Sequence, residues 1–110
     1  MSLTQPDQRP ANALRGETTM TISGRSYLLR PTFEALVAAE EELGSLLTLV
    51  ETASQGALSL AQMSCLVWHC LALQERPDRS RVGDALLEMG LIEATKPVRM
   101  ILSQILKGSG

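Results

Sequence analysis

Apolar residues recur at helical spacing over most of the chain and are densest in SLAQMSCLVWHCLALQE, residues 59–75. In this stretch they surround the helical axis instead of forming one stripe, which is typical of a helix buried on most sides. Ser59 and Gln62 have the spacing of a capping box. A helix of ~16 residues spans ~24 Å, too short for the ~20 apolar residues of a membrane span. We therefore expect the central helix of a small soluble domain.

Ahead of this helix, the segment ETTMTISGRSYLLR (residues 17–30) alternates apolar and polar residues at period two on both sides of Gly24. This pattern predicts two strands, and Gly24 supplies the positive φ that a tight hairpin turn requires. The predicted apolar face consists of Met20, Ile22, Tyr27 and Leu29. Because an isolated hairpin is only marginally stable in water, this face is expected to pack against helices.

Cap and stop signals predict four further helices, at residues 33–43, 45–54, 81–89 and 95–106. Thr32 and Ser80 are candidate N-caps, and Thr95 with Pro97 is expected to open the last helix. The predicted fold class is α+β and mostly α, with an N-terminal two-stranded β-hairpin packed on a bundle of four to five short helices.

The ends of the chain lack hydrophobic periodicity. We expect a disordered N-terminal arm at residues 1–13, a single globular domain at residues 14–107 and a flexible tail at residues 108–110. The N-terminus has no apolar run of signal-peptide length, so the chain is expected to be cytoplasmic.

The helix at residues 33–43 has a predicted inward stripe that includes a carboxylate. The apolar members of this stripe are Phe33, Leu36, Val37, Ala39 and Leu43. Glu40 falls inside the stripe, whereas Glu41 and Glu42 lie outside it and are interpreted as solvated. An unpaired buried charge is costly, so we expect Glu40 to form an ion pair with Arg30, or second with Arg15, that joins hairpin to helix. The alternative is that the Glu40 charge faces a partner.

The central helix contains the residues that would suit a metal site. Cys65 and His69 are four positions apart, on one helix face, but zinc needs four ligands, or three and a water. Cys70 is the only other Cys or His in the chain, so carboxylates would have to complete the site. Cys65 and Cys70 lie about 140° apart around the axis and cannot bridge each other. Core packing is the favoured interpretation, with a metal-dependent enzyme as the alternative.

Other chemistry is not indicated by the sequence. No P-loop, glycine-rich dinucleotide fingerprint, GxSxG or HExxH motif is present, so no catalytic residue, cofactor or metal is expected. Ten basic and twelve acidic residues give a net charge of −2, which argues against a nucleic-acid binder. Arg76, Arg79 and Arg81 form the only basic grouping, interpreted as a solvated turn and not as a phosphate site.

Several blocks of sequence resemble one known family. In order they are RGE (residues 15–17), YLLRPTFEAL (27–36), EEELG (40–44) and VGDALLEMGL (82–91). Together they resemble small tail proteins of phages and gene transfer agents, grouped as tail assembly chaperones or tail-tube-associated proteins. The resemblance extends over nearly all of residues 15–106, and LRPTF (29–33) is its most specific part.

The resemblance implies a non-enzymatic role in tail morphogenesis, encoded by a prophage or gene transfer agent locus in a bacterium. The implied partner is a tape-measure or tail-tube protein, and a homo-oligomer is a further expectation. The implied location is the host cytoplasm, the virion or the gene-transfer-agent particle. Met100 and Leu106, which lie off the main stripe of the last helix, are candidate partner contacts. The alternative function is a small regulatory module that binds protein or DNA.

Overall fold

A computed structural model of the chain describes residues 18–71 and 76–107. Within these ranges a β-hairpin precedes five helices: β1 (Thr18–Ile22), β2 (Arg25–Leu29), α1 (Phe33–Leu43), α2 (Leu46–Ser54), α3 (Leu60–Cys70), α4 (Arg79–Met89) and α5 (Leu91–Lys107). The predicted α+β fold class is confirmed. The arm predicted at residues 1–13 and the tail at 108–110 lie outside the described residues, as does Arg15. None of the helices in the described part is long and apolar enough to cross a membrane.

The hairpin forms with the predicted face toward the helices. Strands β1 and β2 are antiparallel, with Met20 opposite Tyr27. Ser23 and Gly24 both have positive φ (53° and 80°), as a two-residue type I′ turn requires. Ile22 and Leu29 are fully buried in the same cluster of apolar side chains that the helices build. The hairpin is therefore part of the core.

Helix α3 lies at the centre of the packing, in contact with α1, α4 and α5. Its predicted capping box is present: Ser59 Oγ accepts from the Gln62 N–H, and Gln62 Oε1 accepts from the Ser59 N–H. The helix ends at Cys70, so the prediction that it continues to residue 75 is wrong at Leu71, and residues 72–75 lie outside the description. Leu71 is instead extended and forms a bridge with Leu29, because this conformation buries it against the hairpin.

The last two helices begin earlier than predicted. Helix α4 starts at Arg79 after the N-cap Asp78, not at residue 81 after Ser80. Helix α5 starts at Leu91 and contains Pro97 in its interior, so the predicted start near residue 95 is wrong. Ala94 and the residues one and two turns later, Val98 and Ile101, are buried on one face. Packing of this continuous face outweighs the backbone hydrogen bond that Pro97 cannot make.

Helix α1 has the predicted bounds but a different inward face. Phe33 is 81% exposed and Val37 37%, whereas Ala39 is fully buried and Leu36 and Leu43 are half-buried. The predicted stripe is therefore wrong at Phe33, Val37 and Glu40, which are all exposed. Ala39 lies about 240° around the axis from Phe33, so contact with α3 at Ala39 turns Phe33 outward.

Candidate functional site

A groove of about 700 Å³ lies beside the hairpin, between α1 and the end of α3. The apolar part of its lining includes Leu28, Ala35 and Ala38, and its polar part includes three guanidinium groups, those of Arg30, Arg76 and Arg79. The groove thus brings together residues from β2, α1 and the segment that opens α4.

At one end of this groove, Trp68 of α3 contacts the segment that leads into α4. The guanidinium carbons of Arg76 and Arg79 lie 4.2 and 4.3 Å from its ring centroid. The indole N–H of Trp68 donates to the Pro77 carbonyl at 2.8 Å. In each contact the negative face of the indole ring attracts the cation above it. The predicted solvated basic turn is therefore wrong for Arg76, which is half-buried against Trp68. Arg79 packs on the same ring but is exposed, and Arg81 is exposed as well.

Arg76 also caps the end of α3. Its Nη2 donates to the carbonyls of His69 and Leu71, each at 3.3 Å. The last carbonyls of a helix lack intrahelical donors, and a basic side chain commonly satisfies them. Burial lowers the pKa of the Arg76 guanidinium from its usual value. This arginine therefore stabilises the junction after α3.

A second polar cluster joins three helices. Glu42 of α1 lies with its Oε1 2.6 Å from His69 Nε2 of α3, and its Oε2 accepts from Arg79 Nη1 of α4 at 2.7 Å. Arg79 Nη2 also donates to Glu42 Oε1, which makes the contact bidentate. Hydrogen bonds from Arg79 and then His69 lower the pKa of Glu42 from 4.5 to about 2. The carboxylate is thus held ionised. We call Glu42, His69 and Arg79 the three-helix cluster.

Two features of this cluster were not anticipated from the sequence. His69 is 7% exposed and faces α1, where it hydrogen-bonds to Glu42. Glu42 is exposed, in agreement with its interpretation as solvated, but it also bonds to two other helices. Its angular position indicated this role: Glu42 lies about 180° from Phe33, beside Ala39, on the side that faces α3.

The metal-site alternative can be tested against the donor atoms. Ligand atoms of Glu42, Cys65 and His69 lie within 4.8 Å of one another, and they offer the oxygen, sulfur and nitrogen that zinc accepts. However, both oxygens of Glu42 already accept from Arg79. Burial, followed by the nearby Glu42 charge, raises the pKa of the Cys65 thiol. A metal would have to displace a guanidinium and bind a disfavoured thiolate, so the donors fit a structural role better.

The cysteines are poor candidates for nucleophiles in this arrangement. Both are free and buried, and burial raises the pKa of Cys70 to about 12. The thiolate is the reactive species, and these surroundings oppose its formation. These surroundings suit buried thiols of the core better than an activated nucleophile with its base.

The predicted Glu40–Arg30 pair stays a prediction. Glu40 is exposed and its Oε2 accepts from the Leu46 N–H at 3.1 Å, which ties the end of α1 to the first turn of α2. Arg30 follows β2 and lines the groove, and its backbone N–H donates to the Cys70 carbonyl at 2.7 Å. On α5, Met100 is half-buried and Leu106 is 59% exposed, and their partner role also stays a prediction.

Large apolar side chains are exposed at three further places in the described residues. Phe33 and Val37 lie on the outer side of α1, and Leu47 lies on α2. Leu87, Leu91 and Ile92 lie around the corner between α4 and α5. Phe33 and Ile92 retain more than four-fifths of their surface, at 81% and 83%. Grouped apolar residues of this kind are typical of protein contact surfaces.

Comparison with known proteins gives one match. The family model described as phage tail tube protein, GTA-gp10, matches residues 15–108. No curated protein and no solved structure shows a significant match to the chain. The matched region includes the hairpin, all five helices and every residue of the three-helix cluster.

Proposed function

The chain belongs to the phage tail tube protein family described as GTA-gp10, and we propose that it acts in tail assembly through non-enzymatic protein–protein contacts. The resemblance of its sequence to phage and gene-transfer-agent tail proteins is confirmed by this match. The observation that carries the proposed mode of action is the exposure of large apolar side chains, above all Ile92 at 83% and Phe33 at 81%.

The polar groups support the same proposal. Glu42, His69 and Arg79 hydrogen-bond to one another across three helices, and Cys65 and Cys70 are buried thiols. General acid–base catalysis needs titratable groups that can exchange protons with a substrate near the working pH. A carboxylate with a pKa of about 2 and thiols with raised pKa values suit a stable scaffold better.

The proposed partner is the tape-measure or tail-tube protein of the same bacterial phage or gene-transfer-agent locus. As an assembly chaperone, the chain would bind its partner in the host cytoplasm and leave before the tail is complete. As a tube-associated component, it would remain in the particle. Self-association of the chain is compatible with either role.

Co-expression tests the proposal. The full chain, tagged at its C-terminus, is expressed with the tape-measure protein or the tail-tube protein encoded beside it, and we expect one of them to co-purify. An unrelated acidic protein of similar size with the same tag is the control. Failure of both partners to co-purify with chain that is folded by circular dichroism would contradict the proposal. Mass spectrometry of purified tails then separates a chaperone from a component.

A further inference from the structure

The solvent side of α1 combines apolar and acidic side chains in a regular arrangement. Phe33 and Val37 lie about 40° apart around the helix axis and form its centre. Glu40 borders them about 20° from Phe33 on one side, and Glu41 and Glu34 lie about 80° and 100° from Phe33 on the other. All five side chains are exposed. We call these five residues the α1 outer face.

The orientation of this face is fixed by contacts on the opposite side of the helix. Ala39 is fully buried, and Glu42 bonds to His69 and Arg79. At the start of the helix, Thr32 Oγ1 accepts from the Ala35 N–H at 3.1 Å, which holds the first turn where Phe33 lies. The exposed position of Phe33 is therefore set by a well-defined helix and not by a loose chain segment.

Burial of a phenylalanine side chain is favourable because it removes a large apolar surface from water, and this chain leaves that gain unused at Phe33. Aromatic residues that enter a partner's apolar surface are common binding hot spots. The three bordering carboxylates make the surroundings of this residue negative, which favours a partner with basic groups at the edges of its apolar surface. The groove lies next to the face on the side of Glu34, and its lining includes Ala35 and Ala38.

We propose that the α1 outer face binds an amphipathic helix of a tail-assembly partner, with an apolar stripe flanked by Lys or Arg. This inference rests on the proposed function, because it names the chemistry of the partner segment. Helices commonly bind by placing an apolar stripe on a complementary surface. Here Phe33 and Val37 contact the stripe, and Glu34, Glu40 and Glu41 pair with its basic borders.

Binding of two synthetic peptides tests this chemistry directly. Both are labelled helix-forming peptides of the same length with Leu at helical spacing, one with Lys and the other with Glu beside the stripe. Fluorescence anisotropy with the full chain should show at least tenfold tighter binding of the Lys peptide. That preference should shrink as salt shortens the range of charge interactions. Equal affinity for the two peptides, or no binding of the Lys peptide, would overturn the inference.

Matched variants locate the binding surface. Phe33→Ala and Glu41→Gln should each weaken binding of the Lys peptide, Phe33→Ala at least tenfold. Leu87→Ala removes another exposed apolar side chain, 56% exposed on α4, and Glu51→Gln removes an exposed carboxylate on α2; both should leave the affinity unchanged. An equal loss in the control variants would overturn the inference by showing non-specific attraction.

The same variants separate this inference from the proposed function. If the wild-type chain co-purifies with a tail partner and Phe33→Ala does so equally well, the function stands and the α1 outer face is not the surface. If no tail partner co-purifies at all, the function itself fails. A second copy of the chain could also occupy the α1 outer face, and sedimentation of the wild-type chain and Phe33→Ala tests this. A dimer that depends on Phe33 would show that the face binds a second copy and would overturn the proposal.

Discussion

Replacement of Ile22 by alanine is the most direct test of how the hairpin contributes to the core. Ile22 is the last residue of β1, and its side chain has no exposed surface. Removal of a buried isoleucine side chain down to Cβ costs ~2–5 kcal/mol, depending on how far the neighbours close the cavity. For a domain of about 100 residues the unfolding entropy near the melting temperature is ~0.2 kcal/mol/K. The melting temperature of Ile22→Ala should therefore fall by about 10 °C or more.

The adjacent residue provides a matched control. Thr21 belongs to the same strand, and its side chain is exposed on the other face. Thr21→Ala changes strand propensity, for which the whole scale spans only ~1 kcal/mol, and creates no cavity. Thermal melting and urea unfolding, both followed by far-ultraviolet circular dichroism, should give a much larger loss for Ile22→Ala, with similar urea slopes for both variants.

The contrast between Ile22→Ala and Thr21→Ala also tests whether the hairpin unfolds together with the helices. A two-stranded hairpin has little stability of its own, so its persistence here depends on burial of Ile22 and its neighbours against the helices. If Ile22→Ala lowers the melting temperature no more than Thr21→Ala does, the hairpin does not unfold together with the helices. The core would then have to be assigned to the helices alone.

Three further substitutions or reactions follow from the local geometry. Glu42→Gln should lower the urea midpoint at pH 7. Folding lowers the pKa of Glu42 from 4.5 to about 2, so the ionised carboxylate stabilises the folded chain fully above pH 4.5. This contribution should disappear as the pH falls toward 2. A difference from wild type that is unchanged at pH 2 would contradict this. Ser23→Asn should raise stability by ~0.5 kcal/mol in urea unfolding, because Ser23 has φ 53° and asparagine adopts this conformation more readily; a lowered midpoint would count against a type I′ turn. Cys65 and Cys70 should react with a thiol reagent at pH 7.5 only as the chain unfolds, since burial raises the pKa of both; rapid labelling of the native chain would disprove their burial.

Local signals in the sequence predicted much of the fold. The hairpin turn at Gly24, the Ser59 capping box and the Thr32 cap depend on residues close together in sequence, so they could be identified before the packing was known. The ends of α3 and α5 could not be identified in this way. Leu71 leaves the helix to pair with Leu29, and α5 continues through Pro97, because distant contacts outweigh local preference in both places.

The three-helix cluster was missed because of one error in the orientation of α1. Hydrophobicity alone placed Phe33 inward, which put Glu42 on the solvent side. In the structure the buried side of α1 is centred nearer Ala39, so the same rotation turns Phe33 outward and brings Glu42 to His69. The apolar pattern of α1 was wide enough to permit either rotation, and only the position of His69 on α3 distinguishes them.

This rotation connects the stability of α1 with its proposed role. Alanine and half-buried leucines give α1 only a modest apolar contact with the core. The three-helix cluster therefore helps to select how α1 is rotated about its own axis, because the bidentate Glu42–Arg79 pair forms in one rotation only. A helix turned to bury Phe33 would gain apolar contact but would separate Glu42 from His69 and Arg79. The chain thus has a polar interaction that opposes burial of its only phenylalanine within the domain. Such an arrangement is expected when an exposed aromatic residue is needed for contact with another protein.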